Sequence, residues 1–177
     1  LMNEGEIDTQ DFLARVDMLG AQGFTVLISN YLRFFRLRSY LNEFTKRKIG
    51  IVLGVPNIKD IFNEKYYTDL EGGILEAFGK LFSGNIRLYV YPVLGEDGEL
   101  ITLENIRVSN RVRLLLRHLV ENGCIVPLEG ANTSLMQIQS RDVLKAIRQG
   151  RTNWKDAVPE VVYETIISKR LFNFDTE

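Results

Sequence analysis

At 177 residues the chain has the length of one domain, and its 45% hydrophobic and 25% charged residues exclude a disordered polymer. A net charge of -1 gives no basic excess for phosphate backbones, so nucleic acid is not an expected partner unless the fold gathers a local basic patch. Cys124 is the only cysteine, which excludes an intrachain disulfide, and no apolar run approaches the roughly 18 residues of a membrane span. The start, Leu1-Met2-Asn3-Glu4-Gly5-Glu6, lacks the basic-then-apolar layout of a signal peptide, so the expectation is a soluble cytoplasmic chain with no membrane partner.

In chain order, Phe12, Leu13, Val16 and Leu19 recur at helical spacing before Gly20 and Gly23. Thr25-Val26-Leu27-Ile28 reads as a short strand whose apolar run suits a parallel sheet covered on both faces. After Ser29-Asn30, a stripe of Phe34, Leu37, Leu41 and Phe44 predicts a helix, and Lys46-Arg47-Lys48 complements its C-terminal dipole as a solvated end. Ile49 to Val55 is a second buried strand ended by Pro56. Asn57 is placed to cap the next helix, and Thr68-Asp69-Leu70-Glu71 reads as a capping box for another carrying Ile74, Leu75, Phe78, Leu81 and Phe82.

Ile86 to Leu94 is the third strand, and Gly95-Glu96-Asp97-Gly98 turns it toward an antiparallel partner at Glu99 to Thr102. Ser109 caps a helix with Val112, Leu115, Leu116 and Leu119, stopped by Asn122-Gly123. Beyond a loop at Leu128 to Thr133 lie two helical segments, one capped by Ser140 and stopped at Gly150, the other opening near Pro159. The predicted fold is α/β: a short parallel three-layer sheet, Rossmann-like or haloacid-dehalogenase-like, with a β-hairpin edge. Residues 1–127 form the α/β core and 128–177 a helical C-terminal extension on the same domain.

Ligands of open parallel sheets lie beyond the carboxyl ends of the strands. Three turns qualify: Ser29 to Tyr31, Gly54 to Asn57, and Pro92 to Gly98. Arg33 and Arg36 fall in the opening turns of a helix, where the dipole disfavours cations. An anion held by Ser29, Asn30, Arg33 and Arg36 would remove that conflict. The competing reading is that Ser29-Asn30 is a plain cap and the arginines face water or a carboxylate such as Glu43.

A second candidate site is Lys65, Tyr66, Asp69, Gly72 and Gly73, where paired glycines admit a close approach by ligand or backbone and tyrosine offers a ring to stack on. Tight packing of a capped helix accounts for the same string. His118, the single histidine, sits on a leucine-rich helix and reads as a partly buried structural residue. With one His and one Cys, no zinc site is expected, no catalytic residue is nominated, and no cofactor is identified.

The runs Asp11-Phe12-Leu13-Ala14-Arg15-Val16-Asp17, Val26-Leu27-Ile28-Ser29-Asn30-Tyr31, Glu64 to Glu76 and Leu88-Tyr89-Val90-Tyr91-Pro92 resemble a family of uncharacterised bacterial proteins carrying labels such as nicotinate-nucleotide adenylyltransferase or TonB-dependent receptor. The resemblance implies the C-terminal part of a considerably longer protein, with the missing N-terminal part of its own chain as a partner. The adenylyltransferase label would require a His-x-Gly-His element, whereas His118 is followed by Leu119-Val120. The helical stripes contradict a membrane β-barrel.

Val26-Leu27-Ile28-Ser29-Asn30 is also similar to the phosphate-holding second motif of haloacid-dehalogenase-like phosphatases, with Ser29 at the matching position. That family's aspartate nucleophile would lie upstream, since no Asp-x-Asp motif occurs here. The resulting expectation is a domain binding a phosphorylated small molecule, with homo-oligomerisation as a further option. Its alternative is part of a phosphotransfer or nucleotidyl-transfer enzyme whose catalytic residues lie upstream.

Overall fold

The computed structural model describes residues 9–95 and 97–174; the acidic opening segment and Glu96 of the expected turn lie outside them. The chain divides into two compact units, Asn30–Gln137 and a second built from Leu1–Ser29 with Ile138–Glu177. The first expected helix therefore groups with the C-terminal helices, and the division does not fall at 127/128.

Among the described residues, the first helix of the second unit is α1, Thr9–Ala21. In the α/β unit the elements run α2 (Phe34–Phe44), β1 (Ile49–Gly54), α3 (Val55–Ile61), α4 (Gly73–Phe82) and β2 (Ile86–Tyr91), followed by the short β3 (Val93–Leu94) and β4 (Leu100–Ile101), then α5 (Arg113–Glu121) and β5 (Ile125–Pro127). β1, β2 and β5 form a parallel sheet with β2 central, in a register that sets Ile51 beside Leu88 and Leu88 beside Ile125. β3 and β4 pair antiparallel, with Val93 opposite Ile101. The expected single strand from Ile86 to Leu94 is thus split at Pro92, which has no N–H to give a ladder.

Two strand expectations are corrected. Thr25 to Ile28 forms no strand, and Leu27 and Ile28 are 53% and 57% exposed. A four-residue apolar run has strand character only beside a neighbour, and β1 pairs with β2 alone. The third parallel strand is instead β5. It is entered through Gly123, whose φ of +67° takes the chain out of α5 in a conformation that suits glycine.

The α/β core lies on one side of the sheet. Leu53, Leu88, Val90 and Ile125 face Val55, Ile58, Ala77, Phe78, Leu81, Leu116 and Leu119, all buried. Phe78 meets the edge of Phe62 at a centroid distance of 4.8 Å, an arrangement that aromatic quadrupoles favour. The opposite face is not covered as the sequence predicts: Gly50, Val52, Arg87 and Tyr91 are exposed there.

In the other unit α1 packs against α7 (Glu160–Lys169) and a closing 3-10 turn, Leu171–Asn173, and α6 (Ser140–Arg148) packs against that turn. Ala14, Met18, Ile147, Trp154, Ile166, Leu171 and Phe174 form its buried centre. Ser140 is the first residue of α6 and not its cap, which is Gln139 without a side-chain cap bond, whereas the other expected start and stop are observed. α7 follows Pro159, and Gly150, at φ +64°, ends the segment after α6.

Candidate functional site

The α/β unit carries a cleft of about 260 Å³ lined by Leu32, Arg33, Phe34, Asn57, Asp60, Ile61, Tyr66 and Tyr67. Its position follows from how three short segments fold. At the carboxyl end of β1 the chain turns through Gly54, whose N–H donates to Asn57 Oδ1 at 3.3 Å, and enters α3 without a break. Asn57 is therefore not the cap itself but a residue of the first turn that reaches back to the cap's amide. Val55, Ile58 and Ile61 bury one face of α3, leaving Asn57 and Asp60 exposed.

Beyond α3 the chain makes a 3-10 turn, Glu64–Tyr67, capped by Asn63, whose Oδ1 accepts from the Lys65 N–H at 3.2 Å. The turn divides its tyrosines. Tyr67 is buried and its hydroxyl donates to the Ile61 carbonyl at 2.8 Å, while Tyr66 is half exposed at the cleft. Burial pushes the Tyr67 phenol up to about 12, partly offset by the charge of Arg33, so Tyr67 stays neutral and structural.

The third wall is the segment entering α2. Helix geometry begins at Phe34, later than the Ser29-Asn30 turn suggests: Arg33 is the N-cap residue, with extended backbone (φ -122°, ψ 130°) and no side-chain cap bond. Ser29 and Asn30 lie exposed upstream, outside the lining of the cleft. Arg36 is exposed in the first turn of α2. Of the four residues that the sequence groups as an anion site, only Arg33 lines the cleft.

Arg33 joins the two sets of candidates that the sequence nominates separately. Its Nη1 lies 2.8 Å from Asp69 Oδ1 and donates to Asp69 Oδ2 at 2.9 Å. The Arg33 hydrogen bond holds the Asp69 carboxyl below the usual carboxylate range, with smaller help from the charges of Arg33 and Arg36; Asp69 in turn raises the Arg33 guanidinium above its ordinary value. Both side chains retain solvent contact, so the pair orients more than it stabilises. Because Asp69 is engaged through Nη1 alone, Nε and Nη2 of Arg33 donate to nothing among the described residues.

The rest of the second candidate string has backbone roles. Gly73 opens α4 at φ +55°, a conformation costly for any residue with a Cβ, and a Cβ on Gly72 would sit 2.8 Å from that of Glu76. The Gly72 N–H donates to Glu76 Oε2 at 2.9 Å, so α4 is capped from Glu76 and not from a box at Thr68. Lys65 is exposed and, like Gly72 and Gly73, lies outside the cleft lining.

His118 is exposed rather than partly buried, with Asn122 Nδ2 3.4 Å from its Nδ1. Among the described residues no three of His, Cys, Asp and Glu converge to hold a metal ion, and no helix is long and apolar enough to cross a membrane. A larger hollow of about 480 Å³ lies in the helical unit between α1 and α7, floored by Leu13, Ala14 and Leu171. It contains none of the residues nominated by the sequence.

Asn57 and Asp60 are the exposed polar residues of the cleft that stand outside the two sets of site residues nominated by the sequence. The signal is present in the turn from Gly54 to Asn57, one of the three expected strand-to-helix turns. What hides their role is that a cap and a ligand contact use the same residue types. The arrangement supplies a guanidinium edge, an amide, a carboxylate and an exposed phenol around one small cleft. No family model, curated protein or solved structure matches the chain.

Proposed function

We propose that this chain is a ligand-binding α/β domain of a larger bacterial protein, taking a small phosphorylated molecule in the cleft beside Arg33 without completing a catalytic site of its own. The observation that carries this reading is the half-engaged guanidinium: Asp69 fixes Arg33 through Nη1, and Nε and Nη2 remain for the two oxygens of a phosphate or carboxylate. Across the cleft, Asp60 accepts from ligand hydroxyls, Asn57 accepts or donates, and Tyr66 offers a ring face. Such a set suits a phosphate carried on a hydroxylated skeleton, and Asp60 disfavours a ligand anionic at both ends.

Isothermal titration calorimetry with ribose 5-phosphate tests the reading. Saturable binding is expected, weakened at least about tenfold by Arg33→Ala, in line with the loss of a charge-assisted pair. Absence of binding, or binding indifferent to Arg33→Ala, would refute it. Asp60 also motivates a second reading, in which the cleft belongs to a phosphotransfer or nucleotidyl-transfer enzyme whose catalytic residues lie outside this chain. That reading requires the longer protein to turn over a phosphorylated substrate with divalent metal, and to lose the activity on Asp60→Asn.

A further inference from the structure

The outward face of the parallel sheet differs from what a covering helix layer demands. On the central strand β2, Ile86, Leu88 and Val90 point into the core, while Arg87, Tyr89 and Tyr91 alternate to the other side. A parallel strand covered on both faces reads as a continuous aliphatic run. Here the outer positions carry a cation followed by two amphipathic rings. Tyr91 is 44% exposed, and Val52, the cross-strand partner of Tyr89, is 59% exposed.

Glycines on β1 make room for both rings. A Cβ at Gly50 would lie 3.0 Å from Tyr89 Cε2, and one at Gly54 would lie 3.0 Å from Tyr91 Cζ. Each tyrosine thus lies against bare backbone on the neighbouring strand. Successive residues on one face of a strand are about 6.6 Å apart, which gives each ring space for its own planar partner.

The amino end of this face is basic. A shallow cavity of about 180 Å³ there is lined by Lys48, Gly50, Asn85, Arg87 and Tyr89 among others. Two more cations are tethered at its border. Arg38 Nη2 donates to the Ser83 carbonyl, and Lys46, whose carbonyl accepts from Asn85 Nδ2 at 2.6 Å, donates through Nζ to the Asn42 carbonyl at 2.7 Å. None of these four cations forms an ion pair among the described residues, although the whole chain is slightly acidic. The fold gathers the local basic patch that composition alone does not reveal.

We propose that this face binds single-stranded nucleic acid, with bases stacked on Tyr89 and Tyr91 and backbone phosphates held by Lys48 and Arg87, supported by Arg38 and Lys46. Rings on an open surface with cations along one end are the chemistry that recognises unpaired bases without reading their sequence. A duplex keeps its bases stacked inside and offers the rings nothing. The residues are separate from those of the Arg33 cleft, so the two sites stand or fall independently.

The test is fluorescence anisotropy of a fluorescein-labelled single-stranded deoxythymidine 12-mer, titrated with the chain at 50 and 200 mM NaCl. Saturable binding is expected, with log Kd rising against log salt at a slope of about 2 to 3, as four neutralised phosphates on a single strand require. Lys48→Ala with Arg87→Ala lowers that slope by about 1.4. Tyr91→Ala weakens binding about tenfold, Tyr91→Phe leaves it unchanged, and Arg33→Ala leaves it unchanged. Unlabelled duplex of the same length competes at least about tenfold less well.

No saturable binding at 50 mM NaCl, equal competition by duplex, or a Kd indifferent to the Lys48 and Arg87 substitutions would overturn the proposal. Folding of each variant is checked by circular dichroism. Because Tyr91→Phe keeps the ring, a loss of binding in that variant also counts against stacking. Self-association abolished by Tyr91→Ala, without oligonucleotide binding, would assign the face to a second copy of the chain instead.

Discussion

A single carboxylate decides how available Arg33 is. Asp69 occupies one nitrogen of the guanidinium, whose hydrogen bond holds its carboxyl below the usual carboxylate range, so an incoming phosphate shares Arg33 with a resident anion. Removing that resident should favour the ligand. Asp69→Ala is expected to tighten ribose 5-phosphate binding several-fold in calorimetry, with little change in thermal stability, because exposed ion pairs contribute little. Weaker binding in Asp69→Ala would mean that the pair's orienting role outweighs its competition. The carboxylate of Glu76 is also lowered, by Lys80 first and then by the Gly72 amide, but it is spent on capping α4 and is not part of the cleft.

At the level of elements, the two glycines of α4 separate conformational need from convenience. Gly73, at φ +55°, is required where it stands, and Gly73→Ala should destabilise the protein by about 1–2 kcal/mol. Gly79 lies inside the same helix, and a Cβ added there would meet nothing within 4 Å, so Gly79→Ala should stabilise it by about 0.4–1 kcal/mol. Chemical denaturation of the two variants checks both signs. The same contrast explains what the sequence reveals. Helical stripes such as Phe78 with Leu81, or Leu116 with Leu119, are legible because burial repeats every three or four residues. β5 escapes such a reading because Ile125-Val126-Pro127 is too short to show any period, and Thr25 to Ile28 misleads because an apolar run does not specify a neighbour. The start of α2 lies at Phe34 rather than Asn30 for a related reason: a cap side chain contributes only about 1 kcal/mol, too little to fix a helix boundary by itself.

On the scale of the whole molecule, sequence pattern captures the fold class more fully than the assembly of the site. The α/β character, the short parallel sheet, the small antiparallel pair and the helical C-terminal part all follow from local periodicity and turn chemistry. Bringing Arg33 to Asp69, 36 residues away, depends on tertiary packing that no local signal carries. The separation into two units likewise depends on which helices share a core, and α1 shares one with α7 across most of the chain's length. A ligand of the Arg33 cleft should therefore perturb the Asn30–Gln137 unit and, within it, the residues around Gly54 and the Glu64–Tyr67 turn. The most direct measurement is a two-dimensional ¹H–¹⁵N spectrum of the labelled chain titrated with ribose 5-phosphate. The Arg33 Nε–H signal and the amides of Asn57, Asp60 and Tyr66 are predicted to shift together along one saturable curve, leaving Arg87 and Tyr89 in place. An unmoved Arg33 signal, or shifts confined to Arg87 and Tyr89, would contradict the assignment of the phosphate to this cleft.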